Sequence, residues 1–172
     1  VAFSLSGLFI LLSTLPYLIP SPDLVVVPYS IAYENSIFKD IDDLEIHFRE
    51  WPGDGEVTGN ILLVHGLGAS TFSWRHAAPF FADEGYRVIA VDLPGFGLST
   101  RNPGLDHSAT ARASLLWLLL DSLYKDEKWH LVGHSMGGAT VTAMALQRPA
   151  QVDTLTLVAG ALEDNVPAFF AF

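Results

Sequence analysis

The 172 residues include no cysteine, which excludes disulfides and thiolate metal sites. Basic residues are few: nine Lys and Arg stand against nineteen Asp and Glu, a net charge of −10. With no basic stripe, nucleic acid is not expected as a partner, and an anionic membrane surface would repel the chain. Eight of the acids lie between Glu34 and Glu56, offset only by Lys39 and Arg49. That run reads as the solvated face of a hairpin. There is no internal repeat and no low-complexity tract. No charged residue precedes Asp23, and no histidine follows His134.

What is present begins with an apolar run. Residues 2–19 approach the ~20 residues of a membrane span and are close to the core of a signal peptide. Residues 1–22 are therefore expected to be a signal-anchor or a signal peptide, and residues 2–19 to provide membrane anchoring. The alternative is an apolar helix packed inside a soluble protein. The first Lys after the run is Lys39, and by the positive-inside rule this leaves the C-terminal side free to be exported. A membrane-anchored or secreted protein with an extracytoplasmic domain is expected, with a cytoplasmic one as the alternative. Residues 23–35, "DLVVVPYSIAYEN", form a linker.

From residue 36 the pattern turns regular. "SIFKDID" and "LEIHFREW" alternate apolar and polar residues around an Asp42-Asp43 turn, the signature of a hairpin. "ILLVHG", "YRVIAVDLPG", "WHLVGHS" and "VDTLTLVAG" are short apolar runs of the kind that forms strands buried on both faces. Between them lie helical spacings: Trp74 to Glu84, then "ATARASLLWLLLDSLYK" with Asp106 or Ser108 as its cap, then "MGGATVTAMALQRP" ending at Pro149. The alternation from Ile61 onward predicts an α/β fold. Its mostly parallel sheet has helices on both faces, and the Tyr86–Asp92 and Trp129–His134 strands flank Ile61–His65. Ligands bind such sheets beyond the C-terminal ends of the strands.

Three motifs fall at those ends. Gly133-His134-Ser135-Met136-Gly137, extended by Gly138, joins a strand to a helix. So tight a turn needs small neighbours and exposes the serine hydroxyl at a helix N-terminus, where negative charge is favoured. Its bland reading is a Gly-rich turn with an idle serine. "HGLGAS", His65 to Ser70, follows the first buried strand, and its Leu67 N–H could join that of Met136 in holding an oxyanion. His65 and Gly66 read as loop-building residues. "DLPGFGLS" follows the next strand, and Asp92 reads as fixing that turn rather than as a catalytic acid.

In this order and spacing, "HGLG", "DLPGFGLS" and "GHSMGG" resemble the α/β-hydrolase fold family, in its serine-nucleophile branch of esterases, lipases, C–C hydrolases and haloperoxidases. The resemblance covers about residues 36–162. It implies Ser135 as nucleophile, Leu67 and Met136 as oxyanion-hole N–H donors, a small-molecule ester or acyl substrate, and neither metal nor cofactor. In the family the acid and then the histidine follow the serine. Here no histidine follows, and His134, beside the serine on a sharp turn, points away from it. Glu163 and Asp164 are the remaining acids after the sixth strand, and residues 163–172 read as the start of a cap or lid. The expectation is the N-terminal part of a serine hydrolase, truncated after the sixth strand, with its base missing and this fragment inactive. The rival is a non-catalytic binding or interaction module on the same scaffold.

Overall fold

The computed structural model describes residues 28–53 and 55–161. The apolar segment 2–19 and the acids Glu163 and Asp164 lie outside the described residues. Among the described residues no helix is long and apolar enough to cross a membrane. The described residues fall into two units, the 3-10 turn Pro28–Ile31 and the body from Ala32 onward.

The body is a six-stranded sheet. Strands β1 (Ser36–Ile41) and β2 (Leu44–Trp51) form the expected hairpin. Its turn residues Asp42 and Asp43 both have positive φ, 48° and 63°. Two-residue hairpin turns whose twist matches the strands require that backbone, and Asp tolerates it better than most side chains. Strands β3 (Gly59–Val64), β4 (Tyr86–Val91), β5 (Trp129–His134) and β6 (Val152–Val158) follow, and the spatial order is β1-β2-β4-β3-β5-β6. The first two pairings, β1–β2 and β2–β4, are antiparallel, and the other three are parallel. The flanking of β3 by β4 and β5 is the arrangement the sequence predicts.

The uninterrupted apolar runs serve both faces of the sheet. Leu62, Val64, Ile89 and Val91 pack with Ile46, Phe48 and the inward residues of helices α2 (Ala109–Leu123) and α3 (Met136–Gln147). Their alternates Ile61, Leu63, Val88 and Ala90 pack on the other face against Trp74 and Ala78 of the segment that ends in helix α1 (Ala77–Asp83). Each fully buried Leu, Ile or Val contributes roughly 1.5–3 kcal/mol relative to exposure, so the two-sided strands dominate the stability of the sheet.

Two expectations need correction. The helix foreseen from Trp74 splits: Ser70 caps a 3-10 turn, Thr71–Trp74, and α1 starts only at Ala77. β6 is not buried; its Leu155, Leu157 and Val158 are exposed, because it is the outermost strand next to β5 among the described residues. For α2 both candidate caps act. The Ser108 side chain accepts from the Ala111 N–H at 3.2 Å, and Asp106 Oδ1 accepts from the Ser108 N–H at 2.8 Å.

Candidate active site

Ser135 sits between the last residue of β5 and the first of α3, with φ 50° and ψ −118°. A non-glycine residue held there is strained by roughly 1–3 kcal/mol, and such strain persists only where the surroundings over-determine it. They do so here. The Ser135 N–H donates to the Val158 carbonyl at 3.0 Å, and the Ser135 carbonyl accepts from Gly138 at 2.8 Å and Ala161 at 2.9 Å. The turn is thereby tied to α3 and to the end of β6 at once.

The glycines around it permit the close approach. A Cβ on Gly133 would stand 2.6 Å from Val141 Cγ2, and one on Gly138 would stand 2.7 Å from the Gly160 Cα. A Cβ on Gly137 would stand 2.6 Å from the His65 carbonyl oxygen. All three residues are buried. Each replaces a side chain that the strand-to-helix crossing cannot hold.

The loop after β3 comes to the same place. A Cβ on Gly66 would lie 3.1 Å from Ser135 Cβ and 2.8 Å from His134 Nδ1, so this loop runs against the elbow with only hydrogen at its contact point. The Gly66 carbonyl accepts from the Ala69 N–H in a turn, and Gly68 takes φ 68°. Leu67 is 44% exposed. The N–H groups of Leu67 and Met136 have no acceptor among the described residues, leaving both free to donate to a ligand oxygen.

The histidines are committed elsewhere. The chain has six, and none is hydrogen-bonded to Ser135 among the described residues. His65 is fully buried. Its Nδ1 donates to the Gly66 carbonyl at 2.7 Å, and its Nε2 accepts from the Leu93 N–H at 3.1 Å. Burial holds its pKa below the ordinary value against the opposing pull of the Gly66 carbonyl and the Asp92 charge. A neutral ring with both nitrogens occupied is a structural strut, as expected of His65. The half-buried His134 ring lies against Gly66. His107 is exposed and stands against Gly95, and His130 Nδ1 pairs with Thr154 Oγ1 at 2.9 Å.

His47 is the residue that pattern reading missed. It is fully buried on β2, and its Nδ1 meets Asp92 Oδ2 at 2.7 Å. Asp92 also accepts from the Thr71 N–H at 2.6 Å and the Leu98 N–H at 2.8 Å. Burial would raise this carboxyl, but the hydrogen bonds from His47, Leu98 and Thr71 outweigh it and hold the pKa below the usual value. Asp92 thus ties β2, the 3-10 turn and the loop after β4 together. The Asp92 loop is also closed by Gly97, at φ 51°, where any Cβ would drive into the carboxylate. The signal for His47 in the sequence was Asp92 itself, since a carboxylate at the end of a buried strand needs a partner.

A family model for the alpha/beta hydrolase fold matches residues 59–171, and the chain belongs to that family. A 2-hydroxy-6-oxononadienedioate/2-hydroxy-6-oxononatrienedioate hydrolase of Paraburkholderia phymatum is 37% identical over 121 residues, covering 69% of this chain and 41% of that protein. A 2-hydroxy-6-oxo-6-phenylhexa-2,4-dienoate hydrolase of Comamonas testosteroni is 36% identical over 124 residues, covering 70% of this chain and 41% of that protein. Among solved structures, the thioesterase domain of the curacin biosynthetic pathway superposes with a TM-score of 0.68 at 29% identity, over 78% of this chain and 49% of the other. The chain therefore spans about two fifths of the length of these curated relatives. Its family members are hydrolases, and a small-molecule substrate is consistent with them.

Proposed function

We propose that the chain carries the nucleophile and oxyanion half of a serine hydrolase acting on an ester or related acyl substrate. The observation that carries this reading is the backbone of Ser135, a strained non-glycine turn at the N-terminus of α3. It lifts the hydroxyl out of the sheet into the end of the strands where ligands bind. Ser135 attacks the carbonyl carbon, and the free N–H groups of Leu67 and Met136 stabilise the developing oxyanion. Such donors are each worth roughly 3–4 kcal/mol of transition-state stabilisation. The base that accepts the serine proton is not among the six histidines, so the chain alone lacks the step that makes the serine a strong nucleophile.

The test compares p-nitrophenyl ester hydrolysis by the chain and by Ser135→Ala. The chain should show no turnover above the variant, since losing one member of a catalytic triad leaves only residual rate enhancement. A form extended by downstream coding sequence that supplies a histidine should gain turnover on the order of 10³-fold or more, all of it Ser135-dependent. An extended form whose turnover survives Ser135→Ala would refute the assignment.

A further inference from the structure

Ser135 has no histidine partner, yet another serine in this chain does. Ser36, the first residue of β1, places its Oγ 2.8 Å from His47 Nε2, and His47 Nδ1 lies 2.7 Å from Asp92 Oδ2. The donors and acceptors along this line can be assigned. Asp92 is an acceptor, since its other side-chain partners are the N–H groups of Thr71 and Leu98. It takes the Nδ1 proton of the ring, which leaves Nε2 of a neutral imidazole as an acceptor. The backbone N–H of Tyr33 donates to Ser36 Oγ at 3.0 Å, so the hydroxyl proton is free to point at Nε2. A serine donating to an imidazole that is itself oriented by a carboxylate is the arrangement that activates hydroxyl nucleophiles, and it is recognised by geometry rather than by chain position.

The surroundings supply two further requirements. The first is access: His47 and Asp92 are buried, but Ser36 is half-buried on the outer strand of the sheet. The relay therefore runs from core to surface. The second is a counter-charge. Arg49 stands directly opposite Ser36 in the β1–β2 register, which puts both side chains on one face of the hairpin. Its guanidinium lies 4.0 Å over the Tyr33 ring and 4.6 Å over the Trp51 ring, and its Nε donates to Asn35 Oδ1 at 2.8 Å. Its two terminal nitrogens have no acceptor among the described residues, so they can pair with an anionic oxygen.

We propose that Ser36 is a second nucleophilic serine, independent of Ser135, which takes a phosphonyl or acyl group from activated electrophiles whose oxygen Arg49 can hold. With a fluorophosphonate the step balances as follows. Ser36 Oγ attacks phosphorus, the O–P bond forms as the P–F bond breaks, the hydroxyl proton passes to His47 Nε2, and fluoride leaves. Asp92 remains ionised and stabilises the imidazolium that results.

The experiment exposes the full chain and its Ser135→Ala variant to an alkyl fluorophosphonate and maps the adduct by peptide mass spectrometry. Labelling at Ser36 should persist in Ser135→Ala and disappear in the Ser135→Ala, Ser36→Ala double variant. In 8 M urea the Ser36 adduct should form at least ten-fold more slowly, because the relay is then lost. His47→Gln should also slow Ser36 labelling at least ten-fold. Since His47 is buried and that variant could misfold, Arg49→Met on the surface provides a second arm. It should slow the labelling several-fold with an unchanged melting temperature. An adduct confined to Ser135 would overturn the proposal and leave the assignment of Ser135 intact. An adduct at Ser36 that forms equally fast in urea, or no adduct there at all, would overturn it as well.

Discussion

Alanine at Gly137 tests the packing that holds Ser135 in its strained turn. A Cβ there would stand 2.6 Å from the His65 carbonyl oxygen and 2.9 Å from the Val64 carbonyl carbon. Ordinary carbon–oxygen contacts begin at roughly 3.3 Å, so α3 and the end of β3 must separate by about 0.7 Å. β3 cannot yield alone, because it is paired with β4 on one side and β5 on the other. Overpacking a core costs about 1–3 kcal/mol, and a clash with fixed backbone belongs at the upper end of that range. Alanine recovers about 1 kcal/mol through its helix propensity, since residue 137 lies in α3. The net loss is about 2 kcal/mol, or roughly 4–8 °C of melting temperature for a chain of this size.

Gly68→Ala is the matched control. Gly68 also has positive φ, 68°, but a Cβ there meets nothing within 4 Å. Only the left-handed backbone is strained, at about 1–2 kcal/mol. The assay is urea or thermal unfolding followed by tryptophan fluorescence, with Trp117 and Trp129 as buried reporters. A Gly137→Ala chain as stable as the parent, alongside a destabilised Gly68→Ala chain, would show that close backbone approach does not fix the elbow.

Two further outcomes are expected. Burial holds the His65 pKa below 6.5 in the fold, so the unfolded chain takes up the proton first. Its contribution is complete above about pH 6.5 and is lost as the pH falls toward the folded value. The urea midpoint should drop between pH 7.5 and 5.5, and an equal drop in a folded His65→Gln variant would contradict this. Asp92, held below 3.8, weakens the fold only at still lower pH, so the two windows separate. The outermost strand β6 exposes Leu155 and Leu157, and unpaired apolar edges template intermolecular pairing. A protein of residues 31–172 should self-associate in sedimentation, and Leu155→Lys should shift it toward monomer; a parent already monomeric at tens of micromolar would reject the edge argument.

The sequence was most readable where physics is local. Runs such as Ile61–Val64 and Val88–Val91 have no polar phase, so they had to be buried on both faces, and they are. The strand order, the Ser108 cap and the crowded glycines of the elbow follow from equally short-range reasoning. What escaped depends on pairing across the chain. His47 looks like the polar phase of an alternating strand, and only Asp92, 45 residues away, makes its burial tolerable. Arg112 escaped for a similar reason. It lies on the buried side of α2, 8% exposed, over the Phe96 ring, where the helical pattern alone assigns an apolar residue. The late start of α1 came from Ser70, whose side chain captured the backbone into a separate 3-10 turn.

The two serines divide what a hydrolase site requires. Ser135 has the strained turn, the helix N-terminus and two free N–H donors, all enforced by backbone contacts among β3, β5, β6 and α3. None of these depends on a base being present, because the strain is offset by main-chain hydrogen bonds and by glycines that admit the close approach. Ser36 has the opposite endowment, an aligned imidazole and carboxylate without an elbow. Asp92 connects the two halves: its Oδ1 fixes Thr71 at the end of the loop that carries Leu67, while its Oδ2 orients His47. A change at Asp92 must therefore disturb the oxyanion loop and the Ser36 relay together. A change at Gly137 disturbs the elbow but leaves the relay untouched. That asymmetry separates the two serines in any chemical assay that reads them side by side.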